Sequence, residues 1–169
     1  MTTYIALLRG INVGGTGILA MKDLAGLCAD LGFTNPRTYI RSGNVLFESR
    51  LKEDQVRARL IKALADKMGK PIDVMVRTPG ELRSILEANP FPDREPAKVA
   101  VAFLAGRAPA EALNLRGPGG EEVRGGQREI YVYYPDGMGR SKLKLPLGGA
   151  ATTVRNINTV AKLVSLAER

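Results

Sequence analysis

The chain has 169 residues, of which 44% are hydrophobic and 25% charged, a balance typical of a globular protein of one large or two small domains. It contains no histidine, no tryptophan and one cysteine. These absences exclude histidine-based triads, histidine-ligated zinc, cysteine clusters for zinc or iron–sulfur, and an intrachain disulfide. The 25 Lys and Arg against 17 Asp and Glu give a net charge of +8, which favours an anionic partner such as phosphate, nucleic acid or an acidic metabolite, with solubility and an Arg-rich genome as the alternative explanation.

The apolar residues do not form a run of the roughly 18 that a transmembrane helix needs. The N-terminal residues 1–9 (MTTYIALLR) carry neither a basic leader nor a cleavage site, so we expect no signal peptide. The sequence therefore predicts a cytoplasmic protein without a membrane partner.

Hydrophobic periodicity in the first half predicts the order β-α-β-β-α-β within about 77 residues. The predicted elements are a strand over 3–9, a helix from Met21 ended by Gly32, two strands within Thr38–Glu48, a helix from Val56 to Met68 ended by Gly69, and a strand over 72–77. This is the order of the ferredoxin-like split βαβ motif, with an antiparallel sheet and both helices on one face. A short helix is predicted over Gly80–Ala88.

The second half follows a proline-rich linker and predicts a similar plan. We expect strands over Lys98–Leu104 and Glu129–Tyr134, a short helix around Pro109–Leu113, a loop with at most one short strand over 116–126, and a last helix over Val154–Glu168. Thr152 or Thr153 is a natural N-cap for that helix. The predicted fold is α+β, with two ferredoxin-like (α/β-plait) subdomains packed as one compact unit. The first, βαββαβ, covers 1–88, the linker 89–96, and the second, βαββα, 97–169.

The glycine-rich loop 9–15 (RGINVGG) lies between the first strand and the first helix. Glycines there let backbone N–H groups converge on an anion. Arg9 would add a guanidinium and Asn12 an amide donor, with Gly14 and Gly15 giving the close approach. The loop matches neither G-x-G-x-x-G nor a P-loop. The alternative interpretation is a loop that needs positive φ at several positions.

The hairpin tip 41–44 (RSGN) offers Ser42 and Asn44 as secondary candidates, although Gly and Asn also simply form turns. In our interpretation of the ferredoxin-like order, this tip lies at the end of the sheet opposite the loop after the first strand. A site shared with Arg9 would then need a bent hairpin or the second half.

Two further candidates lie in the first turn of the last predicted helix. Arg155 and Asn156 would lie there beside free N–H groups and the positive end of the helix dipole. Residues 156 and 158 would point about 200° apart on a regular helix, so both cannot face one ligand. The alternative is capping and structural hydrogen bonding.

Other polar and apolar features favour structural roles. The basic cluster Gly139–Lys142 with Lys144 is either a phosphate-binding loop or a solvated one, and Glu121–Glu122 reads as exposed loop. Cys28 lies on the apolar face of its helix and is predicted to be core. Strand alternation puts Tyr131 and Tyr133 on one face and Tyr134 on the other, where packing is favoured over base stacking.

Several motifs resemble the bacterial "domain of unknown function 1697" family. They are LLRGINVGG at 7–15, Met21 with Leu24, TYIRSGNVLF at 38–47, GMGRSKL at 137–143 and ATTVRNINTVAKL at 151–163. The last motif departs from the family, which usually has Thr-Arg-Asn-Trp-Asn-Thr, whereas this chain has Val154 before Arg155 and Ile157 in place of the Trp. The resemblance implies two ferredoxin-like subdomains and no established activity. If the usual Trp contacts a ligand, the change puts binding in doubt. If it packs in the core, Ile157 is a tolerable substitution.

The residues together predict binding of a small anionic or phosphorylated ligand at an Arg/Asn/Gly-rich loop. A nucleic-acid-binding module is one alternative, given the basic excess. A structural or partner-binding protein without a ligand is the other. The sequence predicts no catalytic residue, metal site or cofactor. It leaves enzyme status and oligomeric state open.

Overall fold

The computed structural model describes residues 1–9, 19–39 and 43–168. The protein is α+β, with one antiparallel sheet of four strands and one of five. The chain divides into two compact units, Met1–Glu81 with Leu163–Arg169, and Leu82–Lys162, and each contains one sheet. The finer division at 1–88, 89–96 and 97–169 stays a prediction.

The first unit has the element order predicted from its periodicity. Its elements are β1 (Thr2–Leu8), α1 (Met21–Asp30), β2 (Thr34–Tyr39), β3 (Asn44–Ser49), α2 (Glu53–Met68) and β4 (Val74–Arg77), followed by α3 (Pro79–Glu87). The strand order is β2-β3-β1-β4, and every neighbouring pair is antiparallel.

Both helices α1 and α2 pack on the same face of this sheet. Alternate strand residues form one buried cluster with the apolar faces of the helices, as period-2 and period-3.6 patterns require. The residues include Tyr4, Ala6, Leu8, Val45, Phe47, Leu24, Cys28, Leu60 and Leu64. Gly32 (φ +85°) follows α1 and Gly69 (φ +72°) ends α2, so both predicted helix ends are confirmed by left-handed glycines.

The second unit has five strands and few helical residues. Its elements are β5 (Val99–Leu104), β6 (Asn114–Arg116), β7 (Glu122–Gly125), β8 (Glu129–Tyr133), β9 (Thr152–Asn156) and the start of α4 (Ile157–Ala167). The sheet order is β6-β7-β8-β5-β9. Its last four strands, β7-β8-β5-β9, repeat the β2-β3-β1-β4 order of the first sheet.

Two sequence predictions for the second unit are wrong. Residues 152–156 form β9, paired antiparallel with β5, so α4 begins at Ile157 and neither Thr152 nor Thr153 caps it. The run of β-branched residues at 152–154 explains the strand. The short helix expected around 109–113 is present as a 3-10 helix at Ala110–Ala112. Residues 116–126, expected to contain one short strand at most, contain all of β7 and the last residue of β6.

An extended segment, residues 141–147, contributes to the cover of one face of the second sheet. Its leucines at 143, 145 and 147 pack against a buried cluster that includes Ala102, Val132 and Tyr134. On the other face, the Tyr131 hydroxyl donates to the Ile85 carbonyl oxygen in α3 at 2.7 Å. Within the described ranges, every helix is too short or too polar to span a membrane.

Candidate functional site

The end of β1 meets the β2–β3 hairpin at one edge of the first sheet. Leu7 pairs with Asn44, and the Leu8 N–H donates to the Gly43 carbonyl oxygen at 3.0 Å. The prediction that the hairpin tip lies at the opposite end of the sheet from the loop after β1 is therefore wrong. Because β1 and β2 are both antiparallel to β3, they run in the same direction, and both end at this edge.

The segment before β4 reaches the same edge and adds a carboxylate. The Arg9 N–H donates to the Asp73 carbonyl oxygen at 3.0 Å, and Arg9 Nη1 lies 3.6 Å from Asp73 Oδ2. Both side chains are about half exposed, at 57% and 41%. Sequence reasoning missed Asp73, because the β1–β4 register that places it is a long-range pairing. We call the group Leu8, Arg9, Gly43, Asn44 and Asp73 the Arg9 edge.

Asn44 supports this edge from inside the protein. Its side chain is fully buried, and Nδ2 donates to the Tyr39 carbonyl oxygen at 3.2 Å. The amide therefore ties the end of β2 to the start of β3, which fits a positioning role better than direct ligand contact. The other first-half candidates, Asn12, Gly14, Gly15 and Ser42, lie outside the described residues.

Arg155 and Asn156 belong to the second unit and lie in β9. Arg155 is 7% exposed, and its Nη1 donates to Thr153 Oγ1 at 2.7 Å and to the Val154 carbonyl oxygen at 3.0 Å. Burial lowers the pKa of this guanidinium to about 10, which leaves it charged at neutral pH.

Asn156 has structural partners at the junction of β9 and α4. Its Nδ2 donates to the Ala97 carbonyl oxygen at 2.9 Å, and its Oδ1 accepts from the Asn158 N–H at 2.8 Å. Because Asn156 is in a strand, the helical angle predicted between residues 156 and 158 does not apply. Ile157 is 6% exposed, so the position where the family usually has Trp is a core position here.

Glu121 contradicts the expectation of an exposed loop. It is 4% exposed, its Oε1 accepts from the Gly119 N–H at 2.8 Å, and its Oε2 accepts from Ser141 Oγ at 2.8 Å. These hydrogen bonds, led by the one from Ser141, hold the pKa of the carboxyl below its ordinary value. An added Cβ at Gly119 would lie 2.9 Å from Glu121 Oε2, so a larger residue there would displace the Glu121 carboxylate.

The basic cluster around Ser141 lines a small cavity of about 160 Å³. Its cations, Arg140 and Lys142, share that lining with two carboxylates, Glu121 and Asp136. Opposite charges in equal number do not favour an anion. The phosphate-binding interpretation of 139–144 therefore gains no support from the geometry.

Cys28 is confirmed as a core residue. Its side chain is fully buried in the helix–sheet cluster, and burial raises the pKa of the thiol to about 12. Such a thiol stays protonated at neutral pH and is a poor nucleophile.

The tyrosines of β8 are also used in packing. Tyr131 is 2% exposed, and the Arg94 guanidinium lies 4.7 Å from the ring centre of Tyr133. Phe91 packs on the same Tyr133 ring, with the two ring centres 6.1 Å apart. Neither ring is therefore presented as an open stacking surface.

The chemistry that these positions offer is hydrogen bonding and charge. The Arg9 edge contains a half-exposed guanidinium and a half-exposed carboxylate. Along the chain, the glycine-rich segment follows Arg9 directly, and Ser42 directly precedes Gly43. Across residues 1–9, 19–39 and 43–168, acidic and cysteine side chains do not gather in a group of three able to hold a metal ion.

Sequence and geometry therefore define an α+β protein with two antiparallel sheets and an arginine at the edge of the first sheet. The chain belongs to the family described as protein of unknown function (DUF1697), whose sequence model matches residues 1–131. The chain is similar in structure to the conserved bacterial protein SP0830 from Streptococcus pneumoniae, with a TM-score of 0.77 and 24% identity over 98% of each chain. That likeness shows the fold. No curated protein matches the chain.

Proposed function

We propose that this protein binds a small anionic or phosphorylated ligand at the Arg9 edge. The observation that carries the proposal is the register of β1 against β3, which pairs Leu7 with Asn44. The glycine-rich segment starts immediately after Arg9, and Ser42 immediately precedes Gly43. Both first-half motifs are therefore attached to the same edge of one sheet, as a shared site requires.

The charges at this edge are compatible with ligand exchange. A guanidinium has five N–H donors, and among the described residues the ion pair of 3.6 Å with Asp73 leaves donors for a second acceptor. Ion pairs between half-exposed side chains contribute about 0–1 kcal/mol. A phosphate, with more charge and more acceptor oxygens, can therefore replace or share the Asp73 contact.

We also infer that the first unit is a ferredoxin-like plait. The strand order β2-β3-β1-β4 and the packing of both helices on one face support this assignment. The second sheet shares the strand order in its last four strands, which supports a plait-like plan with 3-10 turns and an extended segment in place of helices. A cytoplasmic location stays a prediction from the sequence.

The nucleic-acid alternative stays a prediction with less support. The buried Tyr131 and the covered Tyr133 ring do not provide the stacking surface that single-stranded binding uses. Its test is the salt dependence of binding, because each phosphate contact lowers log affinity by about 0.9 per unit of log salt on duplex DNA.

The proposal is tested by a thermal-shift scan against inorganic phosphate, pyrophosphate, nucleotides and sugar phosphates. A ligand at about 100 times its Kd stabilises the folded state by about 2.7 kcal/mol, a Tm shift of about 5–11 °C at this chain length. We expect Arg9→Gln to remove the shift and the exposed second-unit control Arg116→Gln to keep it. A flat scan for the wild-type protein contradicts the proposal.

A further inference from the structure

A second cleft lies at the other end of the first sheet, away from the Arg9 edge. The register pairs Thr2 with Ser49 there, whereas Leu7 pairs with Asn44 at the Arg9 edge. The cleft has a volume of about 240 Å³, and its lining includes Leu31, Phe33, Thr34, Ser49, Arg50 and Arg59. We call it the Arg59 cleft. It brings together the end of α1, the start of β2, the end of β3 and one side of α2.

The charge lining this cleft is entirely positive. Arg50 and Arg59 contribute guanidinium groups, and none of the lining residues is Asp or Glu. Within the part of the chain that the structure describes, neither guanidinium lies within 4 Å of a carboxylate. Two cations beside one concave surface, without a neutralising partner, create a positive potential that attracts an anion.

A buried hydroxyl adds a neutral donor to the two cations. Ser49 is 5% exposed, and its Oγ accepts from the Leu51 N–H at 3.1 Å. Among the described residues its own O–H has no acceptor. A buried hydroxyl without an acceptor is unfavourable, and an oxygen-bearing ligand in the cleft would supply that acceptor.

The apolar wall of the cleft, formed by Leu31, Phe33 and Leu51, is one part of a mixed polar and apolar lining and is already held in place. Phe33 is 4% exposed and stacks on Phe47 with ring centres 4.4 Å apart. The carbonyl oxygen of Leu51 accepts from the Tyr4 hydroxyl at 2.7 Å. The carbonyls of Cys28 and Ala29 near the end of α1 accept from the N–H groups of residues 33 and 32. The wall is therefore preformed, and those helix-end acceptors are already used.

We propose that the Arg59 cleft binds a phosphate monoester that carries a small apolar group. Two guanidinium forks and one hydroxyl provide more donors than the two oxygens of a carboxylate can accept, and three terminal phosphate oxygens match them better. The apolar wall, chiefly the half-buried Leu31 and Leu51, contacts the organic part of the ligand. This site is separate from the Arg9 edge, and its occupation does not depend on the function proposed there.

The test is isothermal titration of the full chain with phenyl phosphate, inorganic phosphate and benzoate. We expect phenyl phosphate to bind more tightly than the other two. Losing charge-assisted hydrogen bonds should weaken phenyl phosphate binding by about tenfold or more in Arg59→Gln and in Arg50→Gln. Both arginines are exposed, so these variants should fold, which circular dichroism checks. Ser49→Ala should weaken binding less, and Arg116→Gln should leave it unchanged.

Arg9→Gln separates the two proposed sites. Unchanged phenyl phosphate binding in Arg9→Gln, together with weakened binding in Arg59→Gln, supports the Arg59 cleft even if the Arg9 proposal fails. Phenyl phosphate binding that is lost in Arg9→Gln and kept in Arg59→Gln overturns the inference. Absence of binding by the wild-type protein at millimolar ligand overturns it as well, and equal affinity for inorganic phosphate contradicts the role of the apolar wall.

Discussion

Leu7 of β1 and Asn44 of β3 face each other in the antiparallel ladder of the first sheet. The next residues along the chain are Leu8, whose N–H donates to the Gly43 carbonyl oxygen, and Arg9, whose N–H donates to the Asp73 carbonyl oxygen. Three strands thus fix the position of one arginine at the sheet edge. The hydrogen bonds that hold Arg9 use its backbone, so its side chain can be changed without breaking them.

Arg9→Gln should therefore leave stability nearly unchanged. The half-exposed ion pair with Asp73 contributes about 1 kcal/mol or less, and the backbone bonds remain. We expect a loss of at most about 4 °C in Tm, measured by differential scanning calorimetry without ligand. A loss of several kcal/mol would instead support the alternative in which Arg9 only holds a loop together.

Asn44→Ala should behave in the opposite way. The Asn44 amide is fully buried and donates to the Tyr39 carbonyl oxygen, and the alanine variant loses this side-chain hydrogen bond between the two strands. We expect a loss of about 1–3 kcal/mol in unfolding free energy, measured by urea denaturation. Asn114→Ala, at an exposed position in β6, is the matched control and should change stability by about 0.5 kcal/mol or less.

Ser141→Ala should loosen the 141–147 segment without unfolding the sheet. The Ser141 hydroxyl donates to Glu121 and also accepts from the Leu143 N–H at 3.1 Å. Without it, we expect the amide of residue 143 to exchange with deuterium about tenfold faster or more. Amides of β8 should keep wild-type protection. Ser165→Ala, on an exposed position of α4, is the control, and equal exchange in both variants would refute the anchoring role.

The same hydrogen bonds predict an acid-dependent loss of stability. The pKa of the Glu121 carboxyl is lower in the folded protein than its ordinary value of 4.5, chiefly because of the Ser141 hydrogen bond. The folded state therefore binds fewer protons, and the stabilisation is complete above 4.5 and lost as pH falls through the lowered folded value. Between about pH 7 and about pH 3, wild type should lose more Tm than Glu121→Gln. Parallel Tm profiles of the two proteins would contradict this account.

Cys28 should be inert in the native protein. The buried thiol has its pKa raised to about 12, and it is the single cysteine of the chain. We expect iodoacetamide at neutral pH to leave the folded protein unmodified and to modify it fully in denaturant, as read by intact mass. Rapid alkylation under native conditions would contradict the burial of Cys28 between α1 and the sheet.

The parts of the fold that follow from local patterns could be predicted from the sequence. Apolar spacing located α1 and α2, and Gly32 and Gly69 marked their ends. The N-terminal boundary of α4 could not be predicted, because Thr152–Asn156 has polar residues suited to a helix cap as well as β-branched residues suited to a strand. Its pairing with β5 decides the outcome, and that pairing is long-range.

The sequence indicated candidate residues for a site, but it could not give their arrangement. Arg9 and the hairpin tip were identified from their residue types, but their common edge depends on the direction of β1 relative to β2. Asp73 and the buried Glu121 could not be placed from local sequence, because Arg9 and Ser141, which bond to their carboxylates, lie far away along the chain. From the sequence alone, a carboxylate is predicted to be exposed when its hydrogen-bond donors are distant along the chain.

The most direct test of the central claim compares two neutralising substitutions at the Arg9 edge. Isothermal titration with the anion that gives the largest thermal shift should show affinity lowered by about tenfold or more in Arg9→Gln. In Asp73→Asn, which removes the competing carboxylate, the affinity should rise. Opposite changes in the two variants are the result that an anion site at Arg9 predicts. Equal affinities in wild type and both variants would contradict it.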